Sequence, residues 1–149
     1  MRAVVQRVSR ARVTIARHVT GEIGRGLLVF LGVSVDDNLV AAEYLVEKIT
    51  SLRIFDDADG KMNLSLVDVE GGLLIVSQFT LYGDTRRGRR PSFISAAGGD
   101  DASRLYEYFV ANCRKNVTTV ATGKFGAMMD VELVNDGPVT IILDSEKTI

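Results

Sequence analysis

One histidine, one cysteine and no tryptophan occur in this 149-residue sequence, and proline appears only twice. The lone Cys113 excludes an internal disulfide, which suits a reducing compartment. One Cys and one His cannot assemble the usual nitrogen and sulfur ligands of zinc, so no metal is expected. A Ser-His-Asp or Cys-His arrangement would have to use His18, which falls in a segment rich in turn signals, residues 18–24. Conventional nucleophilic hydrolysis is therefore disfavoured. Long apolar runs are missing too: the longest, Leu27 to Val33, is far too short to span a bilayer. The opening Met1–Arg7 has neither the apolar core nor the cleavage site of a signal peptide. Neither GxGxxG nor GxxxxGK[ST] is present, which argues against a dinucleotide or P-loop site. The expectation is a soluble, cytoplasmic protein with no cofactor and no membrane association.

What is present is an ordinary globular composition, 46% hydrophobic and 25% charged, in one domain spanning residues 1–149. The net charge of −1 supplies no long-range attraction for nucleic acid. Any such partner needs a local basic patch, and Arg86, Arg87, Arg89 and Arg90 form one within five residues. Taken alone, that run is equally a solvated loop.

Strands are expected at residues 2–8 and 11–16, and the buried run 26–33 reads as another. Asp36 or Asp37 could cap a helix over 38–51, where Leu39, Ala42, Leu45, Val46, Ile49 and Leu52 recur at helical spacing. A short strand at 53–55 should stop at the acidic turn Asp56–Gly60, whose spacing does not fit a calcium loop. Strand 73–79 leads into a polar loop, 83–92, and Asp100 or Asp101 could cap a second helix. Strands near 117–122 and 129–134 follow, and a Gly-Pro turn precedes a last strand, 139–143. This order predicts one α/β domain with a mixed or antiparallel sheet and two helices on one face.

Two segments gather groups suited to chemistry. In Ser77-Gln78-Phe79-Thr80-Leu81-Tyr82 an apolar strand ends abruptly in hydroxyls and an amide beside an aromatic wall. In Asn135-Asp136-Gly137-Pro138-Val139-Thr140, Gly permits unusual backbone angles, Pro fixes the next φ, and a cis peptide is an option. Read alone, the first is a strand end and the second an ordinary turn.

Together they resemble the paired SQFTLY and NxGPVT motifs of the D-aminoacyl-tRNA deacylase family, both intact here. The similarity extends to Val5-Gln6-Arg7-Val8, Val19–Gly24, Gly60–Leu64, Arg90-Pro91-Ser92-Phe93 and Thr122–Ala127. The resemblance implies hydrolysis of the ester joining a D-amino acid to the terminal adenosine of tRNA, and of glycine mischarged on a non-cognate tRNA. It implies a homodimer and a three-layer arrangement of two sheets and helices. It makes Gly137-Pro138 a cis pair inserted into the partner subunit's pocket, opposite the catalytic segment Ser77, Gln78, Phe79 and Thr80. Arg7 would hold that pair in place, and Phe125 and Met129 would lie by the terminal adenine.

On this resemblance the Gly-Pro pair is a chiral filter: a wall of backbone that excludes an L side chain and admits a D side chain or glycine. Two catalytic schemes stay open, a Thr80 nucleophile and activation of water by the substrate's own 2′-OH. The arginine loop becomes a contact to tRNA phosphates. Two other readings remain: a non-catalytic nucleic-acid-binding homodimer on this fold, and a relative with relaxed chirality that edits a mischarged L-amino acid.

Overall fold

The computed structural model describes residues 1–149. Strand β1 (Arg2–Ile15) is the spine of a six-stranded sheet. Where the sequence suggested two strands, 2–8 and 11–16, the chain runs straight through. A tight turn at Ala16 and Arg17, both with positive φ, then reverses it into β2 (His18–Ile23). His18 thus opens a strand opposite Ile15 instead of lying in the turn. β3 (Gly26–Gly32) returns along the first half of β1, while β2 pairs with its second half.

Helix α1 (Leu39–Ser51) has the predicted extent but a different cap. The Asn38 side chain accepts the Ala41 N–H, whereas Asp37 receives the Ser34 N–H and pairs with the buried Met1 ammonium. A small separate ribbon follows, β4 (Phe55–Asp56) with β5 (Met62–Leu64), displaced from the expected 53–55. β6 (Gly72–Ser77) lies parallel to β3. Helix α2 (Gly99–Asn116) is capped by Gly98, not by Asp100 or Asp101, which sit in its first turn near the positive end of the helix dipole. β7 (Val120–Thr122) then adds parallel to β6. Both parallel pairings follow from helix-containing crossovers, which antiparallel hairpins do not need.

The last strand departs most from expectation. Residues 130–144 form one strand, β8 (Asp130–Asp144), antiparallel to β1 on its other edge. Gln6 faces Thr140 and Val8 faces Asn135, so residues 136–139 loop out between two registers of the same ladder. The Gly-Pro segment is therefore an outsized bulge within a strand, not a turn between two.

The core has two parts on opposite faces. Leu27, Val29 and Leu31 of β3 and Leu73 and Ile75 of β6 pack with Leu45 and Ile49 of α1 and Phe109 and Cys113 of α2. Leu28, Leu74 and Val76 point the other way, into Val8, Ala11, Val13 and Ile23. Burial on both faces explains why β3 and β6 read as unbroken apolar runs. The second layer of strands is the same sheet bent back. β2 and β7 stand at opposite ends of the strand order, yet a Cβ on Gly21 would come within 2.5 Å of the Thr122 carbonyl oxygen. The fold is thus one domain of mixed sheet, with both helices on one face. No helix is long and apolar enough to cross a membrane.

Candidate active site

β6 carries its apolar register to Ser77 and then runs out of sheet. The Gln78 N–H is the last to bond β3, reaching the Leu31 carbonyl at 2.8 Å, and the chain coils into a 3-10 turn, Phe79–Tyr82. This is the abrupt ending visible in the sequence. The turn forms one end of a cleft of about 550 Å³. Ser77, Gln78, Phe79 and Thr80 line the cleft, and so do Phe125 and Met129, brought there from the segment after β7. The Gln78 amide donates to Thr80 Oγ1 at 3.0 Å. Phe93 closes the cleft beside Phe79, edge to face at 5.1 Å between centroids. None of the 17 lining residues carries an ionisable side chain. No three His, Cys, Asp or Glu side chains gather anywhere so as to hold a metal ion.

The Asn135–Thr140 bulge is braced from two sides. At its base, Asn135 accepts the Val139 N–H at 2.8 Å and donates to Thr140 Oγ1 at 3.0 Å, to which Gln6 also donates. On its flank, the buried Arg7 guanidinium donates to the Asp136 carbonyl at 3.0 Å and to the Ile54 carbonyl at 2.7 Å. The Asp56 and Asp136 carboxylates stand 3.5 and 3.6 Å from it. Between these props the Gly137–Pro138 peptide is cis, Gly137 has φ +136, and both residues are exposed. They do not line the cleft that holds Ser77–Thr80. One chain therefore presents an open cleft and, elsewhere, a stiff projecting backbone.

A bridge between Asp84 and Ser92 closes the root of the arginine loop. Arg86 folds onto Asp84 through two hydrogen bonds, 2.9 and 2.7 Å, which hold that carboxyl down at about 2. Arg87, Arg89 and Arg90 are exposed and form no ion pair. His18 lies outside the cleft, and Cys113 is fully buried, its thiol pushed up to about 12 by burial.

The sequence profile described as D-Tyr-tRNA(Tyr) deacylase matches residues 4–144. The chain belongs to that family. Within the D-Tyr-tRNA(Tyr) deacylase family, the D-aminoacyl-tRNA deacylase of Koribacter versatilis (strain Ellin345) is 63% identical over 147 residues, 99% of each chain. That of Thermosipho africanus (strain TCF52B) is 60% identical over 147 residues, again 99% of each. Among solved structures, the c-Myc DNA Unwinding Element Binding Protein superposes with a TM-score of 0.92 at 43% identity, covering 97% of this chain and 98% of its own.

The structure thus brings six of the residues singled out by the resemblance (Ser77, Gln78, Phe79, Thr80, Phe125 and Met129) into one cleft, and sets Arg7, Gly137 and Pro138 together elsewhere. Sequence reasoning missed the opposite wall, Ala96, Ala97, Gly98, Gly99 and Ala102 at the start of α2. The signal was there: five small residues within a span of seven leave room for something other than protein. Met128, the most exposed large apolar side chain at 91%, was missed as well.

Proposed function

We propose that this protein hydrolyses the ester of D-aminoacyl-tRNA, water adding to release free tRNA and the D-amino acid. The observation that carries the mechanism is the cleft itself: the hydroxyls and amide of Ser77, Gln78 and Thr80 share one hollow with Phe125 and Met129, and no acid or base lines it. The aromatic and thioether pair suits a flat adenine. Among the polar groups Thr80 Oγ1 accepts a hydrogen bond, which withdraws electron density from it, and no base is present to deprotonate it. This favours the scheme in which the substrate's 2′-OH activates water, over a threonine nucleophile. The Phe79 and Thr80 N–H groups open the 3-10 turn, where helix geometry supplies no acceptor, and would face a developing oxyanion. Thr80→Ala and a 2′-deoxy-terminated substrate separate the schemes. Full activity of the variant removes the threonine nucleophile, and undiminished cleavage of the deoxy ester removes the ribose scheme.

The active unit in this reading is a cytoplasmic homodimer in which Gly137-Pro138 of one subunit enters the cleft of the other. Exposure of that pair outside its own cleft supports this, as do the exposed Phe79 and Met128 at the cleft rim. Backbone on a braced loop would crowd one side of the α-carbon, rejecting L side chains while accepting D side chains and glycine. The test is deacylation of one tRNA charged with D-amino acid, L-amino acid or glycine. Cleavage of the L ester at the D rate would sink the proofreading assignment, and a monomer in sedimentation equilibrium would sink the shared site. Arg87, Arg89 and Arg90 contact tRNA phosphates in this reading, so neutralising them makes the salt dependence shallower. The name of the 43% identical DNA unwinding element binding protein favours a second reading, a non-catalytic nucleic-acid-binding homodimer. Absence of turnover on D-aminoacyl-tRNA would select it.

A further inference from the structure

We infer that the recess behind Phe125, lined by Arg114 and Lys124, holds the phosphates that precede the terminal adenosine, so that the single-stranded 3′ end of the tRNA leaves the active site over Phe125. This rests on the deacylase reading and specifies the route by which its substrate enters. The recess measures about 280 Å³ and shares Phe125 with the active cleft. Arg114 comes from the last turn of α2 and Lys124 from the segment after β7, and the Thr122 hydroxyl lines the same hollow. Neither cation forms an ion pair within the chain. Glu107 also faces the recess, leaving it with one excess positive charge.

The cleft has a second neighbour of different character. A hollow of about 650 Å³ meets it at Ala97 and Gly98, where Asp37 is paired with the Met1 ammonium and Asp101 with Arg104, so that no excess positive charge is left. A polyanion leaving the cleft finds no attraction there and an excess positive charge behind Phe125. Stereochemistry selects the same exit. In a β-ribonucleoside the base and C5′ rise from one face of the sugar, and the 3′ oxygen leaves from the other. With the ester at Ser77–Thr80 and the base at Phe125 and Met129, the 5′-phosphate is carried to the base end. That is the side of Arg114 and Lys124, not of Phe93, where the arginine loop is rooted. One turn supplies both functions: the Ala127 N–H bonds the Lys124 carbonyl at 3.2 Å, and Gly126 at φ +76 closes it. Lys124 thereby faces one hollow and Phe125 both. An arginine fork and a lysine point charge are a suitable pair for successive phosphates.

The test compares wild type with the double variant Arg114→Gln/Lys124→Gln in the full chain on three substrates. These are D-aminoacyl-adenosine, which has no phosphate, the D-aminoacyl CCA trinucleotide, and D-aminoacyl-tRNA. The expected loss is roughly tenfold in kcat/KM on both phosphate-bearing substrates, with a salt slope shallower by about 1.4, or 0.7 for each of two single-strand phosphates. On D-aminoacyl-adenosine the two proteins should match. The variant Arg87→Gln/Arg89→Gln should lose activity on tRNA alone, because its contacts lie beyond the trinucleotide. An equal loss on D-aminoacyl-adenosine, or none on the trinucleotide, overturns the proposal. Binding of uncharged CCA trinucleotide provides the independent readout. If wild type turns over none of the three substrates yet binds CCA more tightly than the double variant, the deacylase reading fails and the phosphate site stands. Equal binding by both proteins removes the phosphate site.

Discussion

Replacing Arg7 with methionine should loosen the Asn135–Thr140 bulge while leaving the cleft intact. The residue is 7% exposed, and its side chain donates to two carbonyls, at 2.7 Å to Ile54 and 3.0 Å to Asp136. Ile54 is itself buried, so its carbonyl is left dry in the variant, at about 1.5–3 kcal/mol. Asp136 is exposed and its carbonyl can turn to water, so that loss is a fraction of the first. The Asp56 and Asp136 carboxylates, at 3.5 and 3.6 Å and half exposed, add about 0–1 kcal/mol together. Methionine fills much of the volume and avoids desolvating a charge, which recovers part of the cost. A net destabilisation of about 2 kcal/mol follows, or a fall of about 4–8 °C in Tm for a chain of this size. Arg7→Lys, with one donor centre where the fork has three, should fall between. The paired assay is the ratio of L- to D-aminoacyl-tRNA hydrolysis, which should rise as the bulge loses its flank while D turnover changes less. A melting temperature within about 1 °C of wild type, with L exclusion intact, would refute both the bracing and the role assigned to it.

Gly137→Ala should destabilise by about 1–3 kcal/mol, because φ +136 is hostile to any Cβ and the new atom would sit 2.8 Å from Val139 Cγ2; an unchanged urea midpoint would contradict this. Cys113, fully buried with its thiol raised to about 12, should resist a disulfide reagent at pH 8 in the native protein and react on unfolding, and immediate labelling would show the helix–sheet seam to be open. The Asp84 carboxyl, held at about 2 by Arg86 against an ordinary 3.8, should keep the arginine-loop root ordered above about pH 4 and release it as pH falls through about 2. Carbon-13 titration of Asp84 checks the sign, and a midpoint near 4 would remove the pair.

Local signals carried the helices and the end of the strand at Ser77. Leu45, Val46 and Ile49 at helical spacing placed α1 within one residue of its observed ends, and the polar break after Val76 marked where β6 leaves the sheet. What the sequence did not disclose depends on partners distant along the chain. Gly-Pro signals a turn, and only the neighbouring β1 shows that residues 136–139 are a bulge within one ladder. The Ala16–Arg17 reversal has positive φ without Gly or Asn, so nothing local announces it, and the turn signals of residues 18–24 mask β2. Asn38 competed with two equally good caps, and it prevailed because Asp37 is drawn to Ser34 and the amino terminus. The site divides similarly. The Ser77–Thr80 end could be placed from strand chemistry, and Phe125 and Met129 only by resemblance. The small-residue wall at residues 96–102 acquires meaning once α2 is laid across the cleft.

The props of the Asn135–Thr140 bulge are side chains, yet what its exposed tip offers at Gly137 is bare main chain. A ligand built to grip that main chain would meet a surface with little for mutation to rewrite, since every amino acid supplies the same backbone carbonyl. Escape would have to come indirectly, through Arg7, Asn135 or the glycine itself, and each such change disturbs the loop it alters. If the bulge is the chiral filter proposed above, resistance and loss of selectivity would arrive together, which would make this small arch of backbone a durable target for an inhibitor.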